Sequence, residues 1–192
     1  LYEMQQLGCQ LTAEQIFNLN QPSLKDAIVQ FANGCTGELI SPKGLLLTNH
    51  HCGLGYVQAL ASVEHDYLTD GFWALDMKEE LPCEGLYVSF LANVEDVTDK
   101  VLANVTKENT EEVINATVKA LKEEVKGDRD VRIEIVPFYS GNQYIMFEYD
   151  VYRDVRLAAC PPWGIGKYGA DTDNWTWPRH KGDFCIFRVY TS

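Results

Sequence analysis

The sequence predicts a mainly β fold with a helical insertion, and three patterns support this. Short apolar or alternating runs recur along the chain: CTGELI, LLLTN, GLYVSFLANV, VRIEIVPF, QYIMFEYDVYRDVRLAAC and FCIFRVY. Alternation with a period of two marks a half-buried strand, and a short bounded apolar run marks one buried on both faces. Turn chemistry separates several runs: Ser41-Pro42-Lys43-Gly44 follows CTGELI, and Gly141-Asn142 follows VRIEIVPF. One stretch has a different period. From Asn109 to Lys126, residues Val113, Ile114, Val118, Leu121 and Val125 fall on one helical face. Asn109 and Glu112 form its cap, and Gly127 ends it.

Two short helices are expected first. Thr12-Ala13-Glu14-Gln15 is a capping box ahead of Ile16 and Phe17, and Ser23 opens a second capped segment, SLKDAIVQF, that ends near Asn33-Gly34. The hairpin around Ser41–Gly44 comes next. GLGYVQALASVEHDYLTDGFWAL reads as loops with one helix, and the run from Gly85 reads as a strand. After the long helix, a second hairpin has long aromatic strands. The loop PPWGIGKYGADTDNWTWPRHKGD then leads to the last strand.

The 192 residues suffice for one substantial domain, and 46% hydrophobic with 23% charged residues suits a folded chain. A net charge of −12 argues against sequence-independent binding of nucleic acid and against docking on anionic membrane. No apolar run reaches the roughly 18–20 residues that span a bilayer. The opening LYEMQQLGC does not start with Met and has no basic leader, and FCIFRVYTS stops just after a strand-like run, so the chain is expected to be trimmed at both ends. Six cysteines are scattered without a C-x-x-C pair, which speaks against structural zinc and for one or two disulfides in an oxidising compartment.

Gly164-Ile165-Gly166-Lys167-Tyr168-Gly169 fits G-x-G-x-x-G, but Cys-Pro-Pro-Trp precedes it and a Trp-rich loop follows. A dinucleotide site needs a strand before and a helix after. The glycines are better explained as letting a loop bend. The triplets at Asn104, Asn115 and Asn174 match the glycosylation pattern and carry no weight. The sharper feature is TNHHC, Thr48 to Cys52. On a strand, His50 and His51 point to opposite faces, so they do not share a metal ion, and neither His65 nor His180 completes a known ligand frame. Metal is thereby disfavoured but stays open, and a structural histidine or a catalytic base is the stronger reading.

Three observations favour the base. Cys35 lies 17 positions before Cys52 on an adjoining strand of the predicted hairpin, so a disulfide would brace the loop. A histidine at the end of a buried strand is rigidly aimed. Asp183 directly precedes the apolar strand FCIFR, where a half-buried carboxylate accepts the Nδ1–H of an imidazole. This order, strand, Thr-x-x-His-Cys, then Asp before an apolar strand, resembles the first half of a chymotrypsin-type serine peptidase. The strings SLKDAIVQF, GCTGELISPKGLLLTNHHCG, SVEHDYLTDGFWA and DTDNWTWPRHKGDFCIFRVY narrow it. They resemble the bacterial dipeptidyl-peptidase family of the 7 and 11 types, over nearly the whole chain.

The resemblance implies a chymotrypsin-like β-barrel peptidase fold truncated before the second barrel. Residues 1–95 would hold N-terminal helices and the first part of the barrel, 96–130 a helical insertion segment, and 131–192 the rest of the first barrel with the loop that takes the substrate's N-terminus. It implies His51 as base, with His50 facing away, and Asp183 as its orienting acid. Asp171 and Asp173 are rivals that lack a following strand. Asn174 and Trp175 would hold the substrate's free ammonium; an amide oxygen can accept from it and an indole face can attract it. Plain packing is the competing reading for Trp175 and Trp177. The nucleophile departs from the pattern, because no Gly-x-Ser-Gly string follows Asp183. The implied function is release of dipeptides from peptide N-termini, with the serine supplied from outside this chain. Alternatives are a trypsin-like endopeptidase of the same clan, a non-catalytic peptide-binding relative, or a zinc-binding module. Peptides are the expected partners, with a homodimer for the full-length enzyme, no cofactor, and a periplasmic or surface location in a bacterium.

Overall fold

A computed structural model describes residues 1–106, 110–169, 175–178 and 180–191. The elements begin with α1 (Tyr2–Gln6), α2 (Ala13–Ile16), a 3-10 turn (Leu24–Ala27), β1 (Ile28–Phe31), β2 (Cys35–Leu39), β3 (Leu45–Thr48) and α3 (His50–Leu60). Next come α4 (Tyr67–Asp70), β4 (Phe72–Trp73), β5 (Leu81–Pro82), β6 (Val88–Asp96), α5 (Thr98–Leu102) and α6 (Thr110–Lys126). The rest is β7 (Val131–Phe138), a second 3-10 turn (Tyr139–Gly141), β8 (Gln143–Tyr152), β9 (Asp154–Cys160), α7 (Trp163–Gly166) and β10 (Cys185–Tyr190). The fold is mostly antiparallel sheet with some helices, as the strand patterns require. The chain forms two compact units, each built from two stretches: Leu1–Asp26 with Ser89–Val151, and Ala27–Val88 with Tyr152–Ser192.

In the first unit, β7 pairs antiparallel with β8 from Val131↔Asp150 to Phe138↔Gln143, and β6 lies on the other side of β8. The apolar face of α6 closes this layer. Ile114, Val118, Leu121 and Val125 pack on a core of Val97, Val101, Ile133, Ile135, Tyr144 and Met146. Gly127 takes φ +50°, which favours glycine and stops the helix. The Asn109 cap lies outside the described residues. The capping box at α2 forms as expected, with the Thr12 hydroxyl accepting from the Gln15 N–H and the Gln15 side chain accepting from the Thr12 N–H.

In the second unit the strand order is β4-β9-β10-β3-β2-β1, with β5 also on β9. Central β10 pairs with β3 from Cys185↔Thr48 to Arg188↔Leu45, and with β9 on its other edge. Phe31, Leu46, Leu157 and Phe187 are fully buried, and the Phe31 and Phe187 rings lie 4.9 Å apart. Gly53 of α3 sits directly on this layer. A Cβ there would lie 2.9 Å from the Phe187 ring and 3.3 Å from the Cys185 Cβ. Gly44, at φ +75°, ends the first hairpin's turn where a Cβ would overlap the Val189 carbonyl.

Three sequence expectations are corrected here. SLKDAIVQF is a 3-10 turn followed by β1, not a helix, because Val29 and Phe31 alternate into the core while Ile28 faces out. QYIMFEYDVYRDVRLAAC is two strands, broken at Arg153. The mixed stretch holds two helices rather than one, α3 and α4, and the first begins ahead of it, at His50.

Arg188 and Glu80 form a buried ion pair. Arg188 Nε donates to both Glu80 oxygens at 2.8 and 3.1 Å, Arg188 Nη1 donates to the Lys43 carbonyl at 2.6 Å, and the Tyr190 hydroxyl donates to Glu80 at 2.7 Å. Removing one partner of such a pair leaves the other charge buried without compensation. Glu80→Ala should therefore lower stability by about 3–5 kcal/mol, read from urea unfolding; an unchanged midpoint would show that water replaces the carboxylate at no cost.

Candidate active site

TNHHC does not end as a strand. β3 stops at Thr48, Asn49 takes the N-cap position with extended φ −69° and ψ 147°, and both histidines open α3. Helical neighbours are set about 100° apart rather than 180°, so the two rings still diverge. His50 is 2% exposed and meets the Trp163 ring edge-on at 5.9 Å. Gly166 covers it, at a spot where a Cβ would overlap the imidazole and come within 2.6 Å of its Nε2. This is the physical reason for one glycine of the G-x-G-x-x-G string. That stretch forms the short helix α7 and its turn rather than a phosphate-binding loop. Burial holds the His50 imidazole below its ordinary titration range, with Asp183 pulling it up and His51 pushing it down.

His51 faces outward, and its side chain is 69% exposed. Its Nδ1 lies 2.7 Å from Asp183 Oδ2, and its backbone N–H donates to Asp183 Oδ1 at 3.1 Å. Asp183 is 132 positions away and lies two residues ahead of β10. Partial burial pushes the Asp183 carboxyl up. The hydrogen bonds from the His51 backbone and ring, the His51 charge and the His50 backbone N–H outweigh this, and the group rests below the ordinary carboxylate range. An ionised carboxylate only accepts, so Nδ1 facing it is the donor, and in the neutral form of the ring the lone pair sits on Nε2. Asn49 also contributes. Its Nδ2 donates to the Asp183 carbonyl and to Oδ2, each at 3.2 Å. The sequence reading passed over Asn49; its signal was an Asn directly before a helix, which by itself reads as an ordinary cap.

Cys35 and Cys52 form a disulfide, joining the first residue of β2 to the first turn of α3. Cys52 stands on a helix rather than on a strand adjoining Cys35. Cys9, Cys83, Cys160 and Cys185 are free, and burial pushes the Cys83 thiol up to about 11. Trp175 and Trp177 are exposed, at 91% and 86%, and are not packed in a core. Asn174, Asp171 and Asp173 lie outside the described residues. Among the described residues, no group of three or more His, Cys, Asp or Glu side chains could hold a metal ion, and His65 stacks on Tyr67 instead.

The peptidase S46 model matches residues 1–192, the entire sequence. The chain belongs to the peptidase S46 family. It is 48% identical to a dipeptidyl-peptidase 7 of Capnocytophaga gingivalis, covering 98% of this chain and 27% of that protein. It is 49% identical to an Asp/Glu-specific dipeptidyl-peptidase of Flavobacterium psychrophilum, covering 99% and 27%. Among solved structures, Porphyromonas endodontalis DPP11 in complex with substrate matches with TM-score 0.88 and 48% identity, covering 100% of this chain and 29% of that one. The same protein in complex with the dipeptide Arg-Glu matches with TM-score 0.87 and 46% identity, covering 99% and 29%. This S46 chain thus spans between 27% and 29% of the length of these relatives.

Two outcomes are expected for the S46 chain. Gly166→Ala forces a methyl group into the His50 ring and should cost about 1–3 kcal/mol, seen as a lower melting temperature; an unchanged melting temperature would mean the α7 turn shifts freely. For His50, the unfolded imidazole titrates near about 6.5, and burial sets the folded value lower. Above about 6.5 neither state is charged. As pH falls, the unfolded chain takes the proton first, so stability drops by up to about 1.4 kcal/mol per pH unit until the folded value is reached. Urea midpoints of the wild type should fall more steeply with acid than those of His50→Leu. Parallel curves would remove His50 as the source.

Proposed function

We propose that this chain carries the general base and orienting carboxylate of a serine-type dipeptidyl peptidase, which releases dipeptides from the free N-termini of peptides. The observation that carries this reading is the 2.7 Å contact between His51 Nδ1 and Asp183 Oδ2, on a ring otherwise open to solvent. His51 Nε2 takes the proton of a serine hydroxyl as that oxygen attacks the scissile carbonyl and returns it to the leaving amine, then takes a proton from a water that hydrolyses the serine ester, freeing the dipeptide and restoring the hydroxyl. Asp183 stays ionised, holds the tautomer and stabilises the imidazolium between these steps. The serine comes from another part of the full-length protein. The names of the relatives, dipeptidyl-peptidase 7 and Asp/Glu-specific dipeptidyl-peptidase, support the reaction and the peptide substrate class.

Asn174 and Trp175 are assigned to the substrate's ammonium. The exposure of the Trp175 ring supports this, because a buried indole could not meet a ligand. The Cys35–Cys52 disulfide supports an oxidising location, the periplasm or the cell surface. The full-length enzyme is assigned as a homodimer that needs neither metal nor organic cofactor.

Dipeptide–fluorophore conjugates with a free or an acetylated N-terminus test the reading on the full-length protein. Only the free amine should be turned over. His51→Ala should abolish turnover, and Asp183→Asn, which favours the wrong tautomer, should lower kcat by about 10⁴-fold. Equal turnover of both conjugates would move the protein to the endopeptidase alternative. Turnover of neither, across acidic and apolar dipeptides, would leave a non-catalytic peptide-binding relative.

A further inference from the structure

We propose that Asn49 is a positioning residue for the Asp183 carboxylate and not the cap of the helix it precedes. The inference rests on the reading of His51 and Asp183 as base and orienting acid. Asn is among the best N-cap residues because its side-chain oxygen accepts an orphan N–H of the first helical turn. Other caps in this chain behave that way. The Thr12 hydroxyl accepts from the Gln15 N–H, and the Asp66 carboxylate accepts from the Thr69 N–H. Asn49 holds the N-cap position of α3 with the proper backbone angles, yet its side chain makes no capping bond.

Asp183 serves the helix instead. Its Oδ1 accepts the His51 N–H in the first turn of α3, where the positive end of the helix dipole favours a carboxylate. The Asn49 amide is thereby freed, and Nδ2 points at two acceptors, the Asp183 carbonyl and Oδ2. An oxygen in the same place would face two oxygens, so the nitrogen must sit there. The consequence is geometric. Oδ1 is held by the His51 backbone, Oδ2 is held by Asn49, and the carbonyl of the same residue is tied to the same amide. The carboxylate plane can then turn neither about its own bond nor with the backbone, and Oδ2 stays in line with His51 Nδ1. Among the described residues, the titratable groups that interact with Asp183 are His50 and His51 from α3 and Cys185 from β10. Asn49 is the neutral donor among them.

Asn49→Ser separates the two roles, because serine is a good helix cap. The full-length protein would be assayed with a free-amine dipeptide conjugate, beside His51→Ala, with melting temperatures measured on each. Asn49→Ser should keep the melting temperature and KM but lower kcat by about tenfold, as expected for losing a hydrogen bond to a charged group. Asn49→Asp places a second carboxylate beside the first and favours the imidazolium. The acid limb of its kcat/KM profile should move to higher pH by about one unit. The profile of Asn49→Asp moves with the added charge under either role, whereas a helix-capping role predicts wild-type kcat in Asn49→Ser. That result, with His51→Ala inactive, would overturn the role of Asn49 and leave the base assignment standing. Turnover that survives in His51→Ala would overturn the base assignment and this proposal with it.

Discussion

Contact between the first turns of α3 and strand β10 is the constraint on which the second unit depends. Gly53 seats the helix so close to the Phe187 ring that even a Cβ there would come within 2.9 Å of it. The Phe187 ring in turn packs on Phe31, so the helix is seated on the deepest part of the core. The Cys35–Cys52 bridge holds the same turn from the other side, through β2. Because β10 lies between β3 and β9, this one strand fixes the height of the helix, the end of β3 and the start of the Asp183 segment together. A shift of one residue in the register of β10 would turn its core residues outward and carry Asp183 away from His51.

The two adjacent histidines show how the same side chain acquires opposite properties from its surroundings. His50 is enclosed by Trp163 and the bare backbone of Gly166, so burial disfavours its charge and suits it to packing. His51, one residue on, keeps an exposed ring and a carboxylate partner on one nitrogen only. An imidazole that is oriented through one nitrogen and not enclosed leaves its other nitrogen accessible. Asp183 also fills two roles. It orients the ring and satisfies the first turn of the helix that carries the ring, so one carboxylate couples the site to the local fold.

Much of this was legible because it is written in local patterns. The capping box at Thr12, the apolar face of α6 and the alternating strands β7 and β8 depend on residues close in sequence, and each formed where its period placed it. The failures share a cause. SLKDAIVQF has helix-like caps and became a turn and a strand because Val29 and Phe31 found partners in β2 and the core. His50 and His51 follow a leucine run that reads as a strand; the helix starts there because Asp183, far along the chain, satisfies its first turn.

The sequence by itself determined the residue types of the site, the strand-rich class, and the likeness that led to the S46 family, because TNHHC and DNWTWPRHKGDF are contiguous strings. Tertiary structure alone decided which histidine is buried, why Gly166 must be a glycine, and that the Asn49 amide turns to Asp183 instead of to its own helix. Each of these depends on groups brought within a few ångströms across more than 100 positions of chain. Burial and hydrogen-bond direction are properties of such neighbours and not of the residues that precede and follow.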